Sequence, residues 1–304
     1  MRRARSKFQV SKVRSKSCFV RGVLQDVEHG FGSGFRFQDS GRFFQALLLL
    51  LAVSLSASAQ MRQSDELLLP GTAEASGVVV RASSEAEARE VLFLTLKMHA
   101  KVCEMLCLTS KPPSAISWYT DTNAWKNFSR QSDARIEGKG LSGGSTIAIL
   151  SDNSDAHESL AHELVHHVLK HSSPAPLPLW YEEGCAASYG WCTAKWLGQM
   201  EGRNLIRTQP ALPKSELLAF EVLLGCKDYP ALATANAAYS RQSEELVRFL
   251  ETRLGPANFQ KLGRLLAGDQ NLHNCLMDNF NFSEEDWDVL KRAVYVRSTT
   301  KQER

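Results

Sequence analysis

The sequence predicts an α+β domain: a small mixed sheet packed on one helix with a polar face, followed by a mostly helical C-terminal part. Three observations lead there. Short β-branched or apolar runs fall early in the folded region, at Val78-Val79-Val80, at residues 115–119 and at residues 145–150. After Glu183 nearly every apolar residue recurs at helical spacing. Between these two regions lies His162-Glu163-Leu164-Val165-His166, inside a pattern that also reads as helix. Strands first and helices after suit an α+β domain, with a cleft where the two parts meet.

The elements follow in order. Residues 1–59 read as a basic leader: before Gln45 there are ten Lys/Arg against three Asp/Glu, and no sustained apolar periodicity. An apolar run from Ala46 to Val53 comes next, then Ala57-Ser58-Ala59. Basic flank, short apolar core and small-residue end are the anatomy of a secretory signal peptide. The apolar run is shorter than the about 20 residues a spanning helix needs, which favours cleavage before Gln60. Retention as a signal anchor through residues 43–59 is the alternative. Either way the protein is expected to be exported, to the periplasm, the extracellular space or a membrane surface.

Residues 60–76 are polar, carry a Pro70-Gly71 turn signal and read as a linker, leaving 77–304 as the folded domain. Val78-Val79-Val80 is the expected first strand. A helical stripe runs from Glu85 to Leu108 and stops at Pro112-Pro113. Residues 115–119 read as a strand and 121–129 as a short helix. Gly138 to Gly144 reads as a Gly-rich turn into the strand 145–150. The side chains of Asp152-Asn153-Ser154-Asp155 can cap the next helix, and Asp155 and Glu158 suit its positive end. That helix ends near His171, before Pro174 and Pro176. An amphipathic stretch covers 237–254, Gly255-Pro256 breaks it, and three shorter helices reach Val294.

Charge and cysteine content bound the function. The net charge of +3 comes entirely from the leader, so the folded part is mildly acidic. It has no basic stripe and no stacking-aromatic motif, so nucleic acid is not an expected partner. Six cysteines follow the leader, namely Cys103, Cys107, Cys185, Cys192, Cys226 and Cys275. An even set agrees with export and with disulfides, and buried reduced thiols are the other reading.

The chemistry sits on the His-Glu helix. Residues i and i+4 share a helix face, so His162 and His166 can offer two imidazole nitrogens to one metal ion. Glu163, one step round, can hold a water that the metal activates and take its proton. Trp180-Tyr181-Glu182-Glu183-Gly184 follows, with Glu183 17 residues after His166 and an Ala-rich stretch beyond it. Two His and one carboxylate, with the fourth position left to water, form the ligand set of a catalytic zinc site. Glu182 competes with Glu183 for the third place. His167 and His171 form another i, i+4 pair, turned about 100° away, and suit surface or supporting roles. Glu158, one turn before His162, can orient that imidazole or serve the helix dipole.

With these residues the chain resembles the gluzincin zinc metallopeptidases, closest to the minimal peptidase MA-like domains, over roughly residues 77–295. The resemblance rests on the H-E-x-x-H helix, on Pro178-Leu179-Trp180 through Ala186, and on Ala238-Tyr239-Ser240. It implies a zincin fold, one Zn2+ held by His162, His166 and Glu183 (the Glu directly before the Gly), and Glu163 as general base. It also implies that Tyr239 donates a hydrogen bond to the oxyanion of the tetrahedral intermediate, with Tyr181, Tyr189 and Tyr119 as weaker choices. A peptide or protein substrate would lie extended along an edge strand at residues 145–150. The gluzincin aminopeptidases carry a Glu there that grips the substrate amine. No acidic residue stands between Ser142 and Leu150, which points to an endopeptidase. The competing reading is a non-catalytic zinc- or peptide-binding envelope protein with a peptidase-like fold.

Overall fold

A computed structural model describes residues 68–131, 140–143, 145–151, 156–268 and 271–303. The leader, its apolar run, residues 60–67 of the expected linker and the capping side chains at 152–155 lie outside the described residues.

The expected α+β architecture is present. Five strands form one mixed sheet in the order β1-β2-β3-β5-β4. β1 (Gly71–Ala75) runs antiparallel to β2 (Val78–Ala82), which is parallel to β3 (Ala115–Tyr119). β3 is parallel to β5 (Thr146–Leu150), and β4 (Gly140–Gly143) closes the edge antiparallel to β5. The parallel pairs require crossovers, and α1 (Glu85–Leu106) supplies the one between β2 and β3. Ser84 caps α1 by accepting from the Glu87 amide, and Glu85 and Glu87 add negative charge to its first turn.

Two strands depart from the sequence expectation. Val78 opens the second strand of the sheet, because residues 71–75, expected to belong to the linker, already pair along β2 from Gly71↔Ala82 to Ala75↔Val78. The Gly-rich stretch 140–143, expected as a turn, is the edge strand, so β5 is an interior strand and not the edge that the sequence suggests.

Alternation along β5 sorts its side chains to two cores, as a period of two requires. Ile147 and Ile149 join the main core with Ile116 and Trp118, while Ala148 and Leu150 pack with Tyr119, Ala124 and Trp125 on the other face. The second group lies under α2 (Thr122–Gln131), whose first turn is capped by Asp121 accepting from the Ala124 amide at 3.0 Å. The main core continues into α3 (Ala156–Ser172) and α4 (Leu179–Met200). On α3, Leu160, Leu164, Val165 and Val168 are fully buried. At about 1.5–3 kcal/mol each, this apolar face is enough to hold the helix in place while its other face carries imidazoles.

The C-terminal part is helical, as expected. α5 (Phe220–Gly225), α6 (Ala233–Leu254), α7 (Pro256–Leu266), α8 (Leu272–Phe280) and α9 (Glu284–Ser298) follow in turn. A small antiparallel pair, β6 (Thr208–Gln209) and β7 (Gln302–Glu303), ties the end of the chain to the connection after α4. Among the described residues no helix is long and apolar enough to cross a membrane.

Candidate metal centre

α4 packs between α3 and α6, and two glycines let it come close to both. A Cβ at Gly190 would stand 3.0 Å from the His162 backbone, and one at Gly184 only 2.3 Å from the Ser243 carbonyl oxygen. Any other residue at Gly184 would push α6 away, and with it the wall behind Glu183. The backbone approach therefore sets where the side chains of α3 and α4 meet.

What meets there is the expected trio. His162, His166 and Glu183 bring one donor atom each within 4.8 Å of one another, and they are the one such group among the described residues. The two imidazole Nε2 atoms are 3.1 Å apart. Glu183 Oε1 lies 3.0 Å from His166 Nε2, and Oε2 lies 3.9 Å from His162 Nε2. Donors held about 2.1 Å from a tetrahedral metal stand roughly 3.4 Å apart, so these spacings bracket the required bite. Glu183 is 3% exposed. Two nitrogens and a buried carboxylate oxygen facing one point need a cation or a shared proton between them. These three residues could hold a metal ion. Glu182 is not part of the group, so the competition for the third place resolves to Glu183.

The electrostatics agree. Burial would lower the His166 pKa, but the hydrogen bond and charge of Glu183 raise it to about 9. Burial would raise Glu183, yet His166 holds it down to about 2. His162 is lowered, by burial first and then by the charge of His166. Without a metal ion, His166 and Glu183 thus stand as a charged pair, with the His166 proton in the place of the cation. Glu163, 9% exposed on the same helix, adds its charge to both imidazoles.

Tyr239 lies buried beside the site, close enough for the Glu183 charge to act on its hydroxyl, and presents no surface to solvent. It is 0% exposed, and its hydroxyl has no hydrogen-bond partner. Burial, followed by the charges of Cys226 and Glu183, pushes that hydroxyl far above the ordinary tyrosine range. The cause is the start of α6. The helix begins at Ala233, so Tyr239 falls in its second turn, on the buried stripe shared with Leu246, Val247 and Leu250. The hydroxyl that reaches the trio belongs to Tyr229, which donates to Glu183 Oε1. Burial and the Glu183 carboxylate push the Tyr229 hydroxyl well above its usual range, so it stays a donor. Its one sequence signal was Pro230, which holds Tyr229 extended between two helices.

The other candidates have plain places. His167 is buried and turned to the Lys111 carbonyl, 2.9 Å from its Nε2, away from the ligand face. Glu158 pairs with Arg207 at 3.3 Å, and Arg207 also reaches Glu244 at 3.2 Å. Arg207 went unnoticed in the sequence, and its charge acts on His162. The six cysteines are free thiols, two of them exposed, so no disulfide supports the export reading. An apolar pocket between the ends of α1 and α3 and α7, lined by Leu106, Leu169, Tyr181 and Phe259, includes none of the metal-centre residues.

No family model matches the chain, and no curated protein matches it.

Proposed function

We propose that this protein is a zinc-dependent peptidase that hydrolyses internal peptide bonds, exported from the cytoplasm. One observation carries the reading: the convergence of His162, His166 and Glu183 beside Glu163. The donor set, two imidazoles and one carboxylate, is the set of catalytic zinc sites that keep an open position. When bound, zinc would supply Lewis acidity, polarising a substrate carbonyl and making a water acidic near neutral pH.

The chain's own residues do the rest. Glu163 takes the proton of the attacking water and delivers it to the leaving amine, a general acid–base role that adjacency to both His ligands supports. The single hydroxyl proton of Tyr229 goes to Glu183, and Tyr239, to which the gluzincin resemblance gives the oxyanion contact, is fully buried, so neither tyrosine is assigned that contact. The outer edge of β4, unpaired among the described residues, offers main-chain donors and acceptors to an extended peptide, and β4 packs against α3. Export rests on the leader alone.

The test compares the wild type with Glu163→Gln on denatured-protein and peptide-library substrates. The expected result is cleavage by the wild type and a loss of about 10²–10⁴-fold in kcat for the variant, with zinc content retained. Equal signal from both would defeat the enzyme reading and leave a zinc- or peptide-binding protein.

A further inference from the structure

The geometry points to Tyr229 as a positioning residue for the metal, one that fixes the Glu183 carboxylate in its ligating orientation. This inference rests on the metal-centre reading above and adds to it a residue outside both ligand helices.

Glu183 Oε1 has two neighbours: His166 Nε2 at 3.0 Å and the Tyr229 hydroxyl. A carboxylate oxygen has two lone-pair directions. With Tyr229 donating along one, the other is left to the imidazole side, where a cation would sit. A free Glu side chain has several rotamers, and ordering it costs free energy whenever a metal binds. The tyrosine bond settles that orientation during folding, before any metal arrives. Outer partners of this kind orient metal ligands and typically govern affinity by about 10–100-fold.

The placement of Tyr229 makes the role specific. It belongs to neither α3 nor α4 but to the connection between α5 and α6, 46 residues after Glu183. Its residue is 52% exposed while its hydroxyl ends on a carboxylate that is 3% exposed. The ring therefore reaches in from the surface and touches the centre with its polar tip alone. A simple staple between this connection and α4 would explain the same bond, and the two roles differ in what they affect. A staple stabilises the fold to the same extent with or without metal. A positioning residue changes metal affinity.

The experiment measures zinc affinity by chelator competition on the full chain, without substrate, together with the melting temperature of the metal-free protein. Tyr229→Phe keeps the ring and removes the hydroxyl. The expected result is zinc binding about 10–100-fold weaker, with the metal-free melting temperature near that of the wild type. Tyr229→Gln, which restores a donor, should recover part of the loss. Glu183→Ala is measured alongside as the reference for a lost ligand. Unchanged affinity in Tyr229→Phe with strong loss in Glu183→Ala would overturn this inference and leave the metal centre standing. A melting temperature that falls equally with and without zinc, at constant affinity, would make Tyr229 a staple. Unchanged affinity in Glu183→Ala would instead overturn the metal centre itself, and this role with it.

Discussion

The α3–α4 pair and the connection from residue 201 to 232 both deliver side chains to the metal centre, by opposite means. The pair is built of long helices whose inward faces are sealed, with Leu160, Leu164 and Val168 on one and Trp180, Cys185 and Ala186 on the other. Its ligands stand where helix geometry puts them, one turn apart on α3 and opposite the turn on α4. The connection has only a two-residue strand, a short 3-10 turn at Lys214–Glu216 and a six-residue helix. It keeps Ile206, Val222, Tyr229 and Leu232 exposed. It is held by scattered polar bonds, such as Gln242 accepting from the Leu218 amide at 2.8 Å and donating to the Leu218 carbonyl at 3.0 Å. The difference separates two jobs. On the proposed reading the rigid pair would determine where a metal ion sits, while the irregular connection would tune how well the pair holds it.

The largest effect should come from the pair. Glu183→Ala removes one of three protein ligands, and zinc content after gel filtration should fall to near zero. Glu182→Ala should keep its zinc, since Glu182 is outside the trio. Full zinc in Glu183→Ala with loss in Glu182→Ala would reverse the assignment of the two carboxylates.

A smaller effect should separate the two tyrosines. Tyr229→Phe should lower activity at limiting zinc and regain most of it as zinc approaches saturation, because its one hydroxyl proton is given to the Glu183 carboxylate. Tyr239→Phe should leave kcat near wild type, because the residue is fully buried, out of a substrate's reach, and its hydroxyl has no hydrogen-bond partner to lose. Equal losses from the two would erase the contrast between the connection and α6. A loss in Tyr239→Phe alone would restore the role that the sequence assigned to it.

How far the sequence could be read follows the same division. His162, His166 and Glu183 were legible because an i, i+4 pair and a Glu-Gly step on the next helix are local patterns that tertiary packing did not disturb. The long helices were legible too, to within a few residues, but α5 and the irregular stretch 201–219, read as part of a nearly all-helical region, were not. β1 was not, because Thr72 is its one β-branched residue and Pro70-Gly71 signals a turn. β4 was not, because Gly140 and Gly143 bound a run that pairs only once β5 is in place. Tyr229 and Arg207 were missed for the reason that sets the connection apart: each makes its contact across more than 30 residues, with no periodicity to announce it. α6 starts at Ala233, four residues before the expected Ala237, so Tyr239 falls on a buried stripe inside the helix and not at its opening.

The central claim is that His162, His166 and Glu183 together hold one zinc ion. Diffraction from zinc-loaded crystals at energies above and below the zinc absorption edge tests it most directly. The account predicts a single anomalous peak per chain, about 2.0–2.2 Å from His162 Nε2, His166 Nε2 and a Glu183 carboxylate oxygen, with the Tyr229 hydroxyl still on that carboxylate. A peak at any other cluster, or zinc-loaded crystals with no peak between these three side chains, would contradict it.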